Sequence, residues 1–119
     1  MLRTMLCAKL HGARVTDSNL EYRGSITIDR DLLDAVGILP FERVQVLNKS
    51  NGHRFTTYAI EGARGRGDVC VNGAAARLVS KGDELLILVY GQFTADEAPR
   101  HRPKIAILSA DNRVVELGG

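Results

Sequence analysis

The dipeptide Gly24-Ser25 stands inside a stretch, LEYRGSITID over residues 20–29, that otherwise reads as a β-strand. Leu20 and Tyr22 alternate with polar neighbours, and Ile26 and Ile28 resume the alternation. A flexible residue followed by a small hydroxyl nucleophile can interrupt such a pattern for two reasons. One is a bulge or tight turn; the other is chemistry on the backbone itself. Other reactive groups form weaker patterns. His11, His53 and His101 are too scattered to spell a metal site, and neither Cys7 nor Cys70 belongs to a CxxC pair. No phosphate-binding GxxxxGK[ST] or dinucleotide GxGxxG pattern occurs. No nucleophile elbow supports a Ser-His-Asp arrangement. The RGRG run at 64–67 has the charge to touch RNA phosphates, but few aromatics are present to stack on bases, so it reads as a solvated loop.

The elements that must hold Gly24-Ser25 are mostly strands. MLCAKLHGARV, LEYRGSITI, RVQVLN, RFTTYAI, DVCVNG, DELLILVYGQF, KIAIL and RVVEL are apolar-rich, and most are rich in β-branched residues and bounded by Gly, Asn, Asp or Pro. Asn51-Gly52 predicts a two-residue hairpin turn between two such runs, and Asp111-Asn112 a second turn. One helix is clear. In DRDLLDAVGILP, Asp29 or Asp31 caps the first turn, Leu32, Leu33 and Val36 form an apolar face, Gly37 permits a left-handed exit, and Pro40 blocks continuation. A short helical turn is expected at Ala74-Ala75-Ala76, and GARGRGD (62–68) reads as a mobile loop. The class is mainly β, a small closed barrel with one clear short helix.

Composition sets the outer limits. The 119 residues suit a single domain, 1–119, and 45% hydrophobic with 25% charged residues is ordinary for a globular protein. A net charge of +2, with both signs interspersed, is no polybasic footprint, although it helps attract a small anion. Two widely spaced cysteines are expected to stay reduced. The segment MLRTMLCAKLHGARV is broken by Arg3, Lys9 and His11, so it has no apolar secretory core, and no stretch has the length of a membrane span. A cytoplasmic location is the expectation.

Four stretches change the weight of Gly24-Ser25. MLRTMLCAKLH, LEYRGSITID, NGHRFTTYAI and VNGAAARL, in this order and spacing, resemble the aspartate 1-decarboxylase family, pyruvoyl-dependent enzymes that make β-alanine for pantothenate synthesis. The resemblance runs from Met1 to about Ile107. It implies a double-psi β-barrel, a homotetramer with sites between subunits, and self-cleavage between Gly24 and Ser25 into chains 1–24 and 25–119, with a maturation factor possible. The Ser25 hydroxyl would attack the Gly24 carbonyl carbon and turn the amide into an ester. β-Elimination would leave a dehydroalanine, and hydrolysis would release ammonia and leave an N-terminal pyruvoyl group. Gly24 brings no Cβ to crowd the tetrahedral intermediate and tolerates a strained backbone. The pyruvoyl would form a Schiff base with the amine of L-aspartate and serve as the electron sink that no standard side chain supplies. Neither a metal nor pyridoxal phosphate is implied.

The resemblance also assigns roles residue by residue. Thr57 is implied to bind substrate and is a candidate hydrogen-bond donor to the oxyanion during cleavage. Tyr58 is implied to protonate the carbanion left by CO2. Arg54 and Lys9 fall on family positions, and Arg54 has the planar fork to grip the β-carboxylate that survives. Asn72, Gly73, Ala74 and Ala75 are implied to line the substrate site, with backbone N–H groups at the start of a short helix offering an anion site. Tyr22 is close to the cut and reads equally as a substrate contact or a core aromatic. In a regular strand Arg54 and Tyr58 share one face while Thr57 points to the other, so one kind of site needs a bulge or a neighbouring subunit. Two competing readings leave the chain uncut: a small nucleic-acid-binding barrel using RGRG and the basic surface, and a non-processing relative that acts as a metabolite-binding or scaffold protein. Neither nucleic acid nor a membrane is the expected partner.

Overall fold

A computed structural model describes all residues, Met1–Gly119. Its strands are β1 (Leu2–Arg14), β2 (Asp17–Asn19), β3 (Ser25–Asp29), β4 (Arg43–Asn48), β5 (Arg54–Gly62), β6 (Val69–Asn72), β7 (Glu84–Thr94), β8 (Lys104–Leu108) and β9 (Val114–Gly118). The single α-helix, α1 (Arg30–Val36), follows β3, and 3₁₀ turns cover Gly73–Leu78 and Ala98–Arg100. The chain is mainly β, as its alternation predicts. Neighbours in the sheet run β2-β6-β3-β5-β4-β7-β1-β8-β9. Three of these pairs, β1–β8, β2–β6 and β3–β5, are parallel, and the rest are antiparallel.

The sheet curls over one core. Leu10 of β1, Ile26 and Ile28 of β3, Val44 and Val46 of β4, Val71 of β6 and Ile87 of β7 are all fully buried in it. Each such side chain contributes on the order of 1.5–3 kcal/mol by leaving water. The exit of β1 reaches across to β6: the Thr16 N–H donates to the Val69 carbonyl at 2.8 Å, and Thr16 Oγ1 accepts the Val69 N–H at 2.9 Å. Asn112 fastens the same seam, accepting from the Arg14 N–H and donating to the Arg14 and Gly67 carbonyls. The end strands β2 and β9 share no ladder, so the curl is held by these bonds rather than by a closing strand pair.

Helix α1 forms as its sequence dictates. Asp29 Oδ1 accepts the Asp31 N–H at 2.8 Å, Gly37 exits at φ 75°, and Leu32, Leu33 and Val36 face the core. Three expectations need correction. LEYRGSITID is not one faulted strand: residues 20–24 form an exposed connection between β2 and β3, and the turn starts where Asn19 accepts the Glu21 and Tyr22 N–H groups. The β4–β5 hairpin spans five residues, 49–53, rather than two, because the Asn48 and Asn51 side chains take the turn N–H groups of Ser50 and His53. The 62–68 loop is tied down. Gly65 and Gly67 donate their N–H groups to the Asp29 carboxylate, and Arg64 bridges Asp31 and Asp34 at 2.9 and 2.7 Å. With Arg66 on Asp68 as well, both RGRG arginines pair with the protein's own carboxylates.

Candidate active site

Ser25 opens β3, and the ladder with β6 sets its surroundings. In the antiparallel β3–β6 pair Ser25 lies opposite Asn72 and Thr27 opposite Cys70. Residues two apart on a strand share a face, so these four side chains form one square. Asn72 sits at its centre of bonding. Its Nδ2 donates to Ser25 Oγ at 3.0 Å and to Thr27 Oγ1 at 3.1 Å, and its Oδ1 accepts from the Cys70 thiol at 3.3 Å. Ser25 is 1% exposed and Asn72 4%, so the bonds to the Ser25 hydroxyl are shielded from water. Burial first, then Asp17 and Asp68, pushes the Cys70 thiol pKa up and keeps its proton in place.

Gly24, one residue earlier, is exposed, so the Gly24-Ser25 bond lies at the boundary between solvent and core. The glycine requirement turns out to sit across from it. Gly73 has φ +73°, and a Cβ there would fall 2.7 Å from Gly24 Cα and 2.9 Å from Gly24 N. Only a bare residue in the left-handed region lets the 20–24 connection pass this close. Gly24 itself has no positive φ, and a Cβ on it would meet nothing within 4 Å. Gly24 thus carries no left-handed strain here, and the glycine whose φ and surroundings require a bare residue is Gly73.

The NGAAA segment contributes differently from the expected anion site. Gly73–Leu78 is a six-residue 3₁₀ turn, and Asn72 at its start points its side chain to Ser25 rather than capping it. So short a turn carries little dipole. Ala74 is exposed, and Ala75 is half-buried against the core.

Thr57 and Tyr58 reach the same region from the other side of β3. The parallel β3–β5 ladder begins with Ile26 opposite Ala59, so Thr57 and Tyr58 stand just ahead of its start on β5, as Gly24 and Ser25 do ahead of Ile26. Thr57 is half-buried and Tyr58 39% exposed, on opposite faces as the alternation requires. Arg54 is exposed at the start of β5, four residues from Tyr58 and so about 13 Å along the strand. The β4–β5 ladder runs from Arg43–Tyr58 to Leu47–Arg54 without a register shift, which removes the bulge that would bring Arg54 nearer. Lys9, half-buried on β1, pairs with Leu88 and Ile105, and three strands separate β1 from β3. Tyr22 is 52% exposed, so its core reading is not realised in this chain. One fold thus gathers Gly24, Ser25, Asn72 and Gly73, sets Thr57 and Tyr58 just ahead of the paired stretch of β5, and leaves Arg54 and Lys9 on other stretches of strand. A depression of about 220 Å³ lined by Arg43, Gln45, Thr56, Leu88 and Tyr90 contains none of these residues, although Arg43 is the ladder partner of Tyr58, Leu88 that of Lys9, and Thr56 the chain neighbour of Thr57.

Against known proteins, residues 1–115 match the family described as aspartate decarboxylase. The chain belongs to that family. It is 58% identical over 119 residues to the aspartate 1-decarboxylase of Shouchella clausii (strain KSM-K16), covering 100% of this chain and 94% of that protein. It is 54% identical over 117 residues to the aspartate 1-decarboxylase of Staphylococcus aureus (strain JH9), covering 98% and 92%. The family is pyruvoyl-dependent. The buried position of Ser25 against the Asn72 amide fits a carbonyl oxygen as well as a hydroxyl, since both accept an N–H. No helix is long and apolar enough to cross a membrane.

Thr27 and Cys70 escaped sequence reasoning. Their spacing from Ser25 and Asn72, two residues in each case, is visible in the sequence, but the register that closes the square is not.

Proposed function

We propose that this chain cuts itself between Gly24 and Ser25 and then decarboxylates L-aspartate to β-alanine and CO2, the supply reaction for pantothenate synthesis. The observation that carries the reading is the buried Ser25 hydroxyl, accepting from Asn72 at 3.0 Å, on the inner side of an exposed glycine whose path Gly73 fixes. Ser25 Oγ attacks the Gly24 carbonyl carbon, the C–N bond gives way to a C–O bond, and the hydroxyl proton passes to the nitrogen released as the free Ser25 amine. The Asn72 N–H supports negative charge on Oγ before attack. Thr57, two residues ahead of the Ile26–Ala59 pair that opens the β3–β5 ladder, donates to the oxyanion formed at that carbonyl; one such donor is worth roughly 2.7–4 kcal/mol. The pyruvoyl group that results supplies an electron sink for loss of CO2. Tyr58 then gives its proton to the substrate carbon.

Arg54 grips the β-carboxylate, and Lys9 adds charge to the same site. Tight pairing to the departing α-carboxylate would instead stabilise the ground state and oppose reaction. Because the fold of one chain leaves these two cations apart from Ser25, a second copy brings them to it, in a homotetramer with sites between subunits. The apolar side chains left exposed, Leu2, Tyr22, Phe41, Val115 and Leu117 among them, support such an assembly.

The test is the mass of purified protein together with aspartate turnover. Parental protein should give fragments 1–24 and 25–119, the second with a blocked N-terminus, and Ser25→Ala should stay full-length, folded and inactive. A cut and active Ala variant would sink the reading.

A further inference from the structure

We infer that Thr27 is a positioning residue for self-cleavage: its hydroxyl oxygen takes the second N–H of Asn72 and thereby fixes which end of that amide faces Ser25. The inference rests on the reading of Gly24-Ser25 as the cleaved bond.

The argument is a count of hydrogen bonds at a buried amide. Asn72 has two N–H donors on one end and one carbonyl oxygen on the other. As placed, both donors reach oxygen acceptors, Ser25 Oγ and Thr27 Oγ1, while the carbonyl accepts from Cys70. No buried side-chain polar atom of the protein lacks a partner. Rotating the amide by half a turn would let its oxygen accept both hydroxyl protons, but both N–H groups would then face a single sulfur, a weak acceptor. One buried donor would be orphaned, and that penalty keeps the amide in the first orientation. The bias depends on Thr27. Without its oxygen, each orientation orphans one N–H, and the preference is lost.

The two orientations are not equivalent for the chemistry. An N–H on Ser25 Oγ leaves the hydroxyl proton free to depart and favours the charge that follows. A carbonyl there would hold that proton instead.

Thr27 is itself held. A Cβ at Gly62 would fall 3.1 Å from Thr27 Cγ2, so the threonine methyl occupies the space that a bare Gly62 leaves on β5. A β-branched side chain has few χ1 options, and seating the methyl there directs Oγ1 to Asn72. Cys70 plays the lesser part: losing its thiol leaves one carbonyl lone pair free, without freeing the amide to turn.

The experiment compares first-order cleavage of freshly purified precursors by intact mass. Thr27→Val keeps the methyl and removes the hydroxyl; it should slow cleavage about tenfold, within the range of coupling inside one hydrogen-bonded network. Thr27→Ser restores the oxygen and should cut within about threefold of the parent. Asn72→Ala should slow cleavage by itself, and adding Thr27→Val to it should change nothing further, since Thr27 acts through Asn72. Melting temperatures of all variants separate these effects from unfolding. In uncut precursor, the Asn72 side-chain amide protons should both be protected from exchange, and Thr27→Val should release one. Parental cleavage rates in Thr27→Val, no rescue by Ser, or a Val effect that persists without Asn72 would each overturn the inference. If the parent never cuts, the cleavage reading and the role of Thr27 in it fail together. If the parent cuts and Thr27→Val cuts equally fast, only the Thr27 role fails.

Discussion

Gly73→Ala isolates the contact that shapes the scissile segment. Two costs arise. A non-glycine residue at φ +73° is strained by roughly 1–2 kcal/mol. Its Cβ also lands 2.7 Å from Gly24 Cα and 2.9 Å from Gly24 N, where ordinary contact begins at 3.4 Å. Both atoms are backbone, so no side chain can swing away, and the 20–24 connection must retreat by at least about 0.7 Å. Misplacing a reacting group by about 1 Å costs up to 10²-fold. Cleavage of Gly73→Ala should therefore slow by on the order of 10²-fold, while β3 and β6 keep their pairing. The control is Gly52→Ala, at φ +81° with nothing within 4 Å of its Cβ. It carries the same strain without the collision, so it should lose stability by roughly 1–2 kcal/mol and cut at the parental rate. Time courses of intact mass, with melting curves for each protein, decide the matter. A Gly73→Ala chain that cuts as fast as the parent would refute the reasoning, because the Gly24 path would then not matter to attack.

Tyr58→Phe should cut itself almost normally yet decarboxylate poorly, since its proton is needed only after CO2 leaves; full turnover in the fully processed variant would move the proton source elsewhere. Arg54→Lys should process normally but raise the Michaelis constant for aspartate about ten- to a hundredfold, as an ammonium cannot reproduce a planar two-bond grip; an unchanged constant would place Arg54 outside the pocket. Asp29→Asn tests the anchor of the 62–68 loop. Burial of Asp29 works to raise its pKa, but N–H donation from Gly67, Asp31 and Gly65, with Arg113 nearby, outweighs it and holds the carboxyl below its ordinary value. A lowered folded-state pKa means the stabilisation is present above the unfolded value of about 3.9 and is lost as pH falls through the folded one. At neutral pH the Asn variant should be less stable by roughly 1.5–3 kcal/mol. Denaturant titrations should show that gap closing below about pH 4, and a gap independent of pH would remove charge from the explanation.

Strand positions were legible wherever one face had to be apolar. RVQVLN and KIAIL form β4 and β8 at their expected bounds, and in each the buried positions fall on alternate residues. The helix was legible through its cap, its apolar face and its exit glycine together. By contrast β2, with the residues Asp-Ser-Asn, carries no apolar signal at all, and exists because β6 offers it a parallel edge. Leu20 and Tyr22 misled for the complementary reason. Their alternation is real, but both are exposed, so in one chain no core rewards it. The 62–68 loop looked mobile because Gly and Arg dominate it. What tethers it is the carboxylate of Asp29, more than thirty residues earlier, and such a partner is invisible until the chain folds.

The two glycines of the site show where local reading stops. Sequence logic looks for permissiveness at the reacting residue, and so assigned it to Gly24. The backbone there turns out to be unstrained on the side a Cβ would occupy, while the residue opposite, Gly73, supplies both the left-handed turn and the vacant volume. That division follows from the ladder. Once Ser25 pairs with Asn72, the residue before one and the residue after the other are forced into the same corner, and only one of them has to yield its side chain. Gly73 also begins the turn that carries the chain away from β6, so it is the one with a positive φ to satisfy. The same pairing that brings an amide to the Ser25 hydroxyl therefore dictates a glycine at position 73, which makes VNGAAARL and LEYRGSITID halves of a single device rather than two separate motifs.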